Sequence, residues 1–434
     1  MVRTVIPAAA VAAAMAIATA GCGSAGATPG SGEGAATVVP ANAIAFVAAS
    51  TDLLSSQWHS LGGFLLRNVP NWTNEIEPAL GDELDVAVLP GKRIVALTQP
   101  HDASKLAALA AAYKLSTRNV GSWTALAEDA SSLEQLGNPS ATLAQSSAFQ
   151  AAMSRLPSNA LVRAYLNGSA AQRLIEALPG QAQALLPAFH WVAADVHSLD
   201  AGLELEAFAR TEAPTADALR SAQLLKRPAA SYTPTLVDEI PADVLAVADF
   251  QVQQNAFEAW KLPPALAKAF GVSAATVPVQ LDALLGGETA VYLRAGAPLP
   301  EVTLVTQPAD AAAAASAVTQ LQSELQAPFL QRLHLYTAVI GGQFVVSTSQ
   351  QGIADLGAGG PKLANDADFL EAQKDAQMPT ETTGFVYANV KKALPLLSLV
   401  GATMPAGAPD VRTFIAYGAR TADEVRFTAF LASR

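Results

Sequence analysis

Thr98-Gln99-Pro100-His101-Asp102 returns as Thr306-Gln307-Pro308-Ala309-Asp310, 208 residues further on (98 to 306). An apolar run precedes each copy, Ile94-Val95-Ala96-Leu97 and Val302-Thr303-Leu304-Val305, and an Ala/Leu-rich run follows. Proline ends ladder pairing, and an Asp just ahead of an Ala-rich run can accept the orphan N–H groups of a first helical turn. Each copy therefore predicts a strand, a turn and a capped helix.

Outward from that corner, further matches keep the same order, as an internal repeat requires. Val39-Pro40-Ala41-Asn42 opens one half and Ile240-Pro241-Ala242-Asp243 the other, each ahead of an apolar run. Leu80-Gly81-Asp82-Glu83 and Leu285-Gly286-Gly287-Glu288 enter the next strands. Trp123 then matches Phe344, Phe149 matches Phe369, and the strand around Tyr165 matches that around Tyr387. Both halves close on a hairpin, 189–196 with 202–210 and 413–419 with 424–431. Within the first, Leu203-Glu204-Leu205-Glu206-Ala207-Phe208 alternates as a half-buried antiparallel strand would.

The offset drifts from 201 (40 to 241) to 222 (165 to 387), which places insertions in the second copy, around 261–278 and 320–335. The pattern predicts an α+β fold of two tandem repeats, each mixing antiparallel strands with packed helices. They would form two domains or one pseudo-twofold body. The expected divisions are a signal peptide at 1–21, a flexible tether at 22–37, a first repeat at 38–212, and a linker with the second repeat at 213–434.

This order of motifs resembles a domain family of unknown function found in exported and membrane-anchored proteins of high-GC bacteria. The resemblance rests on Val39 to Asn42, the Leu-Gly-x-Glu strand entry and the Gln-Pro-x-Asp junction. It implies an architecture and a location, and no activity.

The N-terminus reads as an export signal, with Arg3 ahead of an apolar, Ala-rich run from Val5 to Ala20. Thr19-Ala20-Gly21-Cys22 resembles the bacterial lipobox, with Thr19 standing where Leu is usual. Cys22 is the only cysteine, so no internal disulfide and no cysteine metal site can form. A cysteine used once, at that place, predicts lipidation. The competing expectation is cleavage after Ala20 and a secreted protein with a stray thiol. A net charge of −11 without any Lys/Arg run longer than two argues against a nucleic-acid partner. The chain is expected to be exported and lipid-anchored at the outer face of the cell membrane, with an envelope protein or an apolar ligand as its partner.

Signatures of catalysis are missing. The five histidines, His59, His101, His190, His197 and His334, include no His-Glu-x-x-His, and neither Gly-x-Ser-x-Gly nor Ser-x-x-Lys occurs. His190 and His197 stand seven apart on one predicted strand, which turns them to opposite faces. Asp82, Glu83 and Asp85 cluster, but Glu83 recurs as Glu288 at a strand start, a framework position. Asp102 and Asp310 read as helix caps. No catalytic residue, cofactor or metal is expected, which leaves a non-enzymatic binding or scaffolding protein. The alternative is an envelope hydrolase with a dispersed Ser/His/Asp site at His190 or His197.

Overall fold

The repeated Thr and the repeated Gly turn out to interlock in a computed structural model of the chain. It describes residues 34–51, 76–136, 139–170, 189–211, 231–252, 257, 275–296, 300–324, 334–399, 411–421 and 423–433. Thr98 Oγ1 accepts the Gly81 N–H at 3.1 Å and donates to the Glu83 carbonyl at 2.9 Å; Thr306 Oγ1 accepts the Gly286 N–H at 3.1 Å. A Cβ on Gly81 would lie 1.9 Å from the Gln99 carbonyl oxygen, and one on Gly286 2.7 Å from that of Gln307. Only glycine lets the strand entry cross the pentad so closely. The two expected caps are present. Asp102 accepts from the Ser104 and Lys105 N–H groups at 3.0 and 3.1 Å, and Asp310 from Ala312 and Ala313 at 2.8 and 3.2 Å.

The strands fed by these corners join one antiparallel sheet. In the N-terminal half they are β1 (Ala45–Ser50), β2 (Glu83–Leu89), β3 (Arg93–Thr98), β4 (Ser116–Val120), β5 (Trp123–Ala127), β6 (Val162–Asn167), β7 (Phe189–Leu199) and β8 (Gly202–Thr211). In the C-terminal half they are β9 (Val244–Val252), β10 (Gly287–Arg294), β11 (Glu301–Thr306), β12 (Tyr336–Ile340), β13 (Gln343–Ser347), β14 (Gly384–Ala388), β15 (Thr413–Arg420) and β16 (Glu424–Ala432). From the central pair β8–β16, one side runs β8-β7-β6-β1-β2-β3-β5-β4 and the other β16-β15-β14-β9-β10-β11-β13-β12. Each half ends its chain path at the seam, and the sheet crosses it without a break.

Helices cover the sheet unequally. On the face called the front, α2 (Ala130–Glu134) and α3 (Ser147–Met153) cover the N-terminal half, and α6 (Gln350–Gly357) and α7 (Ala367–Asp375) the C-terminal half. Phe149 of α3 meets Phe46 and Tyr165 edge-on at 5.7 and 5.2 Å. Phe369 of α7 meets Phe385 and Tyr387 at 5.7 and 5.0 Å. These aromatic pairs centre the two front cores. The back carries α1 (Ala103–Ala112) over one flank and the pair α4 (Val277–Leu284) and α5 (Ala311–Glu324) over the other. Most of the sequence that the drifting offset marked as inserted, around 261–278 and 320–335, lies outside the described residues. α8 (Val390–Leu399) follows β14. No helix among the described residues is long and apolar enough to cross a membrane.

Three expectations change. Gly34–Thr37, read as the end of the tether, form a 3-10 turn in which Ala35 and Ala36 are fully buried. The turn is held because the Ala35 N–H is bound by the buried Asp85 carboxylate at 2.8 Å, so the body starts before residue 38. Trp123 does not match Phe344. Both hairpins turn on two residues, with Val120 opposite Trp123 and Ile340 opposite Gln343, so Phe344 corresponds to Thr124. That slip of one residue changes face: Trp123 lies in the front core, Phe344 in the back cluster with α4 and α5. The glutamates of the alternating strand β8 do not face solvent either, since Glu204 and Glu206 are buried on the front. Residues 1–33, with Cys22 and the signal and tether, lie outside the described residues, as do 171–188 and the linker segment 212–230.

Candidate functional site: a buried charged row at the seam

Register fixes which side chains stand side by side on a sheet. Tracing one row across the front gives Asp85, Ala48, Arg163, Asp195 and Glu206 in the N-terminal half. It crosses the seam to Thr428, then Tyr417, Phe385, Asp249 and Ala290. Beside the seam, buried charge therefore collects in the N-terminal half and aromatic or hydroxyl groups in the C-terminal half, where Asp249 is the row's one acid.

The densest part is the β7–β8–β16 junction. β7 and β8 form a hairpin, so Asp195 stands opposite Glu206 and His197 opposite Glu204. His197 Nδ1 faces Asp195 Oδ1 at 2.6 Å and its Nε2 faces Glu204 Oε1 at 3.6 Å. From β16, Arg426 Nε donates to Glu206 Oε1 at 2.8 Å, and the guanidinium also lies over the Phe208 ring. Asp195 Oδ2 and Glu204 Oε2 are buried with no hydrogen-bond partner. Three carboxyls against one arginine and one imidazole leave this pocket short of positive charge.

Burial sets the titration of the cluster. It raises Glu204 to about 7, and the neighbouring Glu206 charge pushes the same way. Asp195 is raised by burial, a shift only partly offset by its bond to His197. For His197, burial opposes the charged ring, but the bond to Asp195 and the fields of Asp195, Glu204 and Glu206 outweigh it and the pKa rises. The arrangement is suited to holding a proton between acid and imidazole near neutral pH.

A smaller acid cluster follows the same physics in each half. In the N-terminal half, Asp85 on β2 stands opposite Ala48 on β1; in the C-terminal half, Asp249 on β9 stands opposite Ala290 on β10. The Ala/Asp pair is kept and the acid has changed strands. Asp85, raised well above its ordinary value by burial and then by Glu83, binds the Ala35 N–H. Asp249, raised to about 7 by burial, accepts the Tyr232 hydroxyl at 2.5 Å. Glu288 binds the Thr235 and Leu236 N–H groups at 2.6 and 2.8 Å, so it ties down a 3-10 turn as Asp85 does.

Cys22 and His59 lie outside the described residues; other residues singled out from sequence can be placed. Glu83 lies 4.0 Å from Arg163, and Asp82 pairs with His101 at 3.0 Å on the exposed surface. His190 and His197 share β7, but the pairing with β8 shifts register at His190, so simple alternation does not relate the two. His197 gathers carboxylates, and no serine hydroxyl stands among its hydrogen-bond and ion-pair partners; Ser198 belongs to the other face. Among the described residues no group of His, Cys, Asp and Glu is arranged to hold a metal ion. Sequence reading missed Asp195, Glu204, Glu206, Arg426 and Asp249. The available signal was Glu204 and Glu206 in a strand that closes a half, where a partner strand can set a counter-charge such as Arg426 beside them.

The back face offers a contrast. Val291, Ala248, Val386, Ala416, Ala429, Leu205, Val196 and Val162 form one unbroken apolar row in the same register. Part of this face is open: Val386 is 44% exposed and Phe427 45%. No family model, curated protein or solved structure matches the chain.

Proposed function

We propose that this chain is a non-enzymatic envelope lipoprotein, anchored through Cys22 at the outer face of the cell membrane, which holds an acyl-chain ligand on the back of its sheet. Its two α+β repeats would form one pseudo-twofold body, consistent with the matching strand orders on either side of the seam. The observation that carries the reading is the apolar row, which is open at Val291 and Val386 in the C-terminal half. Alanines at Ala248, Ala416 and Ala429 make a smooth floor, Val386 and Phe427 stand out of it, and α1 and the α4–α5 pair flank it. An apolar surface left open in this way is a usual mark of a binding site.

The charged row is less suited to act on a substrate. Side chains of Asp195 and Glu204 are 0% and 6% exposed, and His197 Nε2 is directed at Glu204 rather than at a nucleophile. A hydrolase built on His197 would need both an opening and a serine, which weighs the reading toward binding.

Mass spectrometry of lipids extracted from protein purified from its own host tests the ligand. Wild type should carry an acyl lipid in near-stoichiometric amount, and a Val386→Glu/Phe427→Glu double variant should carry at least tenfold less. A wild-type protein that is consistently empty removes the carrier reading. Anchoring is tested separately. Cys22→Ala should move the protein from the membrane fraction to the soluble fraction, and unchanged membrane retention would refute the lipid anchor.

A further inference from the structure

The sheet is open, so it has two edges, β4 and β12. Edge strands expose unpaired backbone groups and are normally guarded by charge, proline, a bulge or a covering segment. β4, Ser116-Thr117-Arg118-Asn119-Val120, is guarded: Arg118 sits at its centre and bonds the Leu133 carbonyl at 2.9 Å, while the Asn119 side chain is engaged by Thr124 at 3.2 Å. β12, Tyr336-Thr337-Ala338-Val339-Ile340, has no charge, no proline and an unbroken register with β13. Val339 is 60% exposed.

The outward-facing groups on β12 follow from its hairpin. Gly341 and Gly342 adopt φ of 59° and 87°, the two-residue turn in which the flanking Ile340 and Gln343 exchange hydrogen bonds. Bonded and non-bonded pairs then alternate, so Ile340, Ala338 and Tyr336 turn their N–H and C=O toward β13. Consistently, on the other side of β13 the Thr348 N–H donates to the Val302 carbonyl at 3.0 Å. Thr337 and Val339 therefore present their N–H and C=O outward.

We infer that β12 pairs antiparallel with β12 of a second copy of this chain, about a twofold axis through Ala338, to form a closed dimer with a continuous sheet. In this register Thr337 stands opposite the partner's Val339, and Val339 opposite the partner's Thr337. Both outward residues on each side meet outward residues, and the four backbone bonds available are all made. Ala338 meets its own equivalent. The same operation on β4 would set Arg118 against its own equivalent, a like-charge contact directly across the strands that disfavours that edge. A precedent is internal: β8 and β16, the last strands of their halves, join edge to edge and antiparallel at the seam. The twofold is perpendicular to the sheet, so front joins front and the apolar backs become contiguous.

Cysteine trapping tests the register. In full chain carrying Cys22→Ser, the remaining thiol is the introduced one, since Cys22 is the only cysteine. Residues in the non-hydrogen-bonded position across a twofold lie about 4.5 Å apart at Cα, within disulfide reach. Ala338→Cys should therefore cross-link under mild oxidation at least tenfold faster than Thr337→Cys. Sedimentation equilibrium of the otherwise unaltered chain should approach twice the 44.6 kDa chain mass with rising concentration. Val339→Pro should abolish the association without unfolding β12, because that N–H does not serve β13. Ala338→Arg provides a second variant that leaves the backbone alone and should also give monomer. Monomer at every concentration, or equal oxidation at positions 337 and 338, overturns the proposal. So does an open-ended series of oligomers, the result expected from β12 docking on β4.

Discussion

Reading outward from the seam, the front row of the N-terminal half is Glu206, Asp195, Arg163, Ala48 and Asp85. At the same places in the C-terminal half it is Thr428, Tyr417, Phe385, Asp249 and Ala290. The backbone frame is common to both, with the same strand order and the same pentad corners. The chemistry differs, because Tyr417 and Phe385 fill with rings the volume that Asp195 and Arg163 fill with charge. Tyr417 finds a polar partner above the sheet, donating its hydroxyl to the Ala376 carbonyl at 2.9 Å. What the comparison teaches is that a sheet row tolerates either solution, provided each buried polar group finds a partner or a proton.

Cutting the shared part of the comparison should give the largest effect. Phe149→Ala and Phe369→Ala each remove a fully buried ring from a front core and should cost about 3–5 kcal/mol in urea unfolding. Similar losses would support equivalent cores; a loss confined to one variant would break the equivalence.

Next in size is the part that differs. Glu204 and Asp249 have folded pKa values raised to about 7 from ordinary values of 4.5 and 3.8. A raised acid contributes stability that is fully present below its unfolded pKa and lost as pH rises through its folded one. His197, also raised, contributes in the same direction. Thermal stability should therefore fall between pH 5 and pH 8, by on the order of 3 kcal/mol for Glu204 alone. Glu204→Gln should flatten that slope and stabilise the protein at pH 8. Below about pH 4 the opposite sign takes over, because Asp355 is lowered by its bond to Arg294 and Asp368 by its bond to Lys392. A wild-type profile that is flat from pH 5 to pH 8 would remove the shared-proton account of the seam.

The smallest expected effect is at the corners. Asp102→Ala and Asp310→Ala should each cost about 1 kcal/mol, the usual value of a helix N-cap, and the two losses should be alike. His101→Ala should change little, since its contact with Asp82 is exposed and position 309 already carries Ala. Urea midpoints of the three variants separate the cap from its neighbour.

Much of the frame could be read from local chemistry. Thr98 and Thr306, Gly81 and Gly286, Asp102 and Asp310 each act within one corner, where turn and cap rules are short-range. Phe149 and Phe369 were placed on helices by the same order of motifs. The site was less visible. Alternation in β8 identified a strand, but alternation cannot say which face is buried when both are. Asp195, Glu204, Glu206 and Arg426 come together across 231 positions of sequence (195 to 426), and only pairing of β8 with β16 makes them neighbours. The match of Trp123 to Phe344 failed for a related reason, because a slip of one residue is small in sequence and a change of face in a sheet.

The sequence by itself determined the elements, their order and the two corners, because strand, turn and cap propensities act over a few residues. It also supplied the single cysteine, Cys22, on which the proposed lipid anchor rests. Tertiary structure alone decided that the halves join into one sheet, and which residues form the charged row and the apolar row behind it. It also decided that the two edges are β4, with Arg118 at its centre, and β12, with no charged residue. Those properties depend on strand register, which is set by long-range pairing and has no local signature.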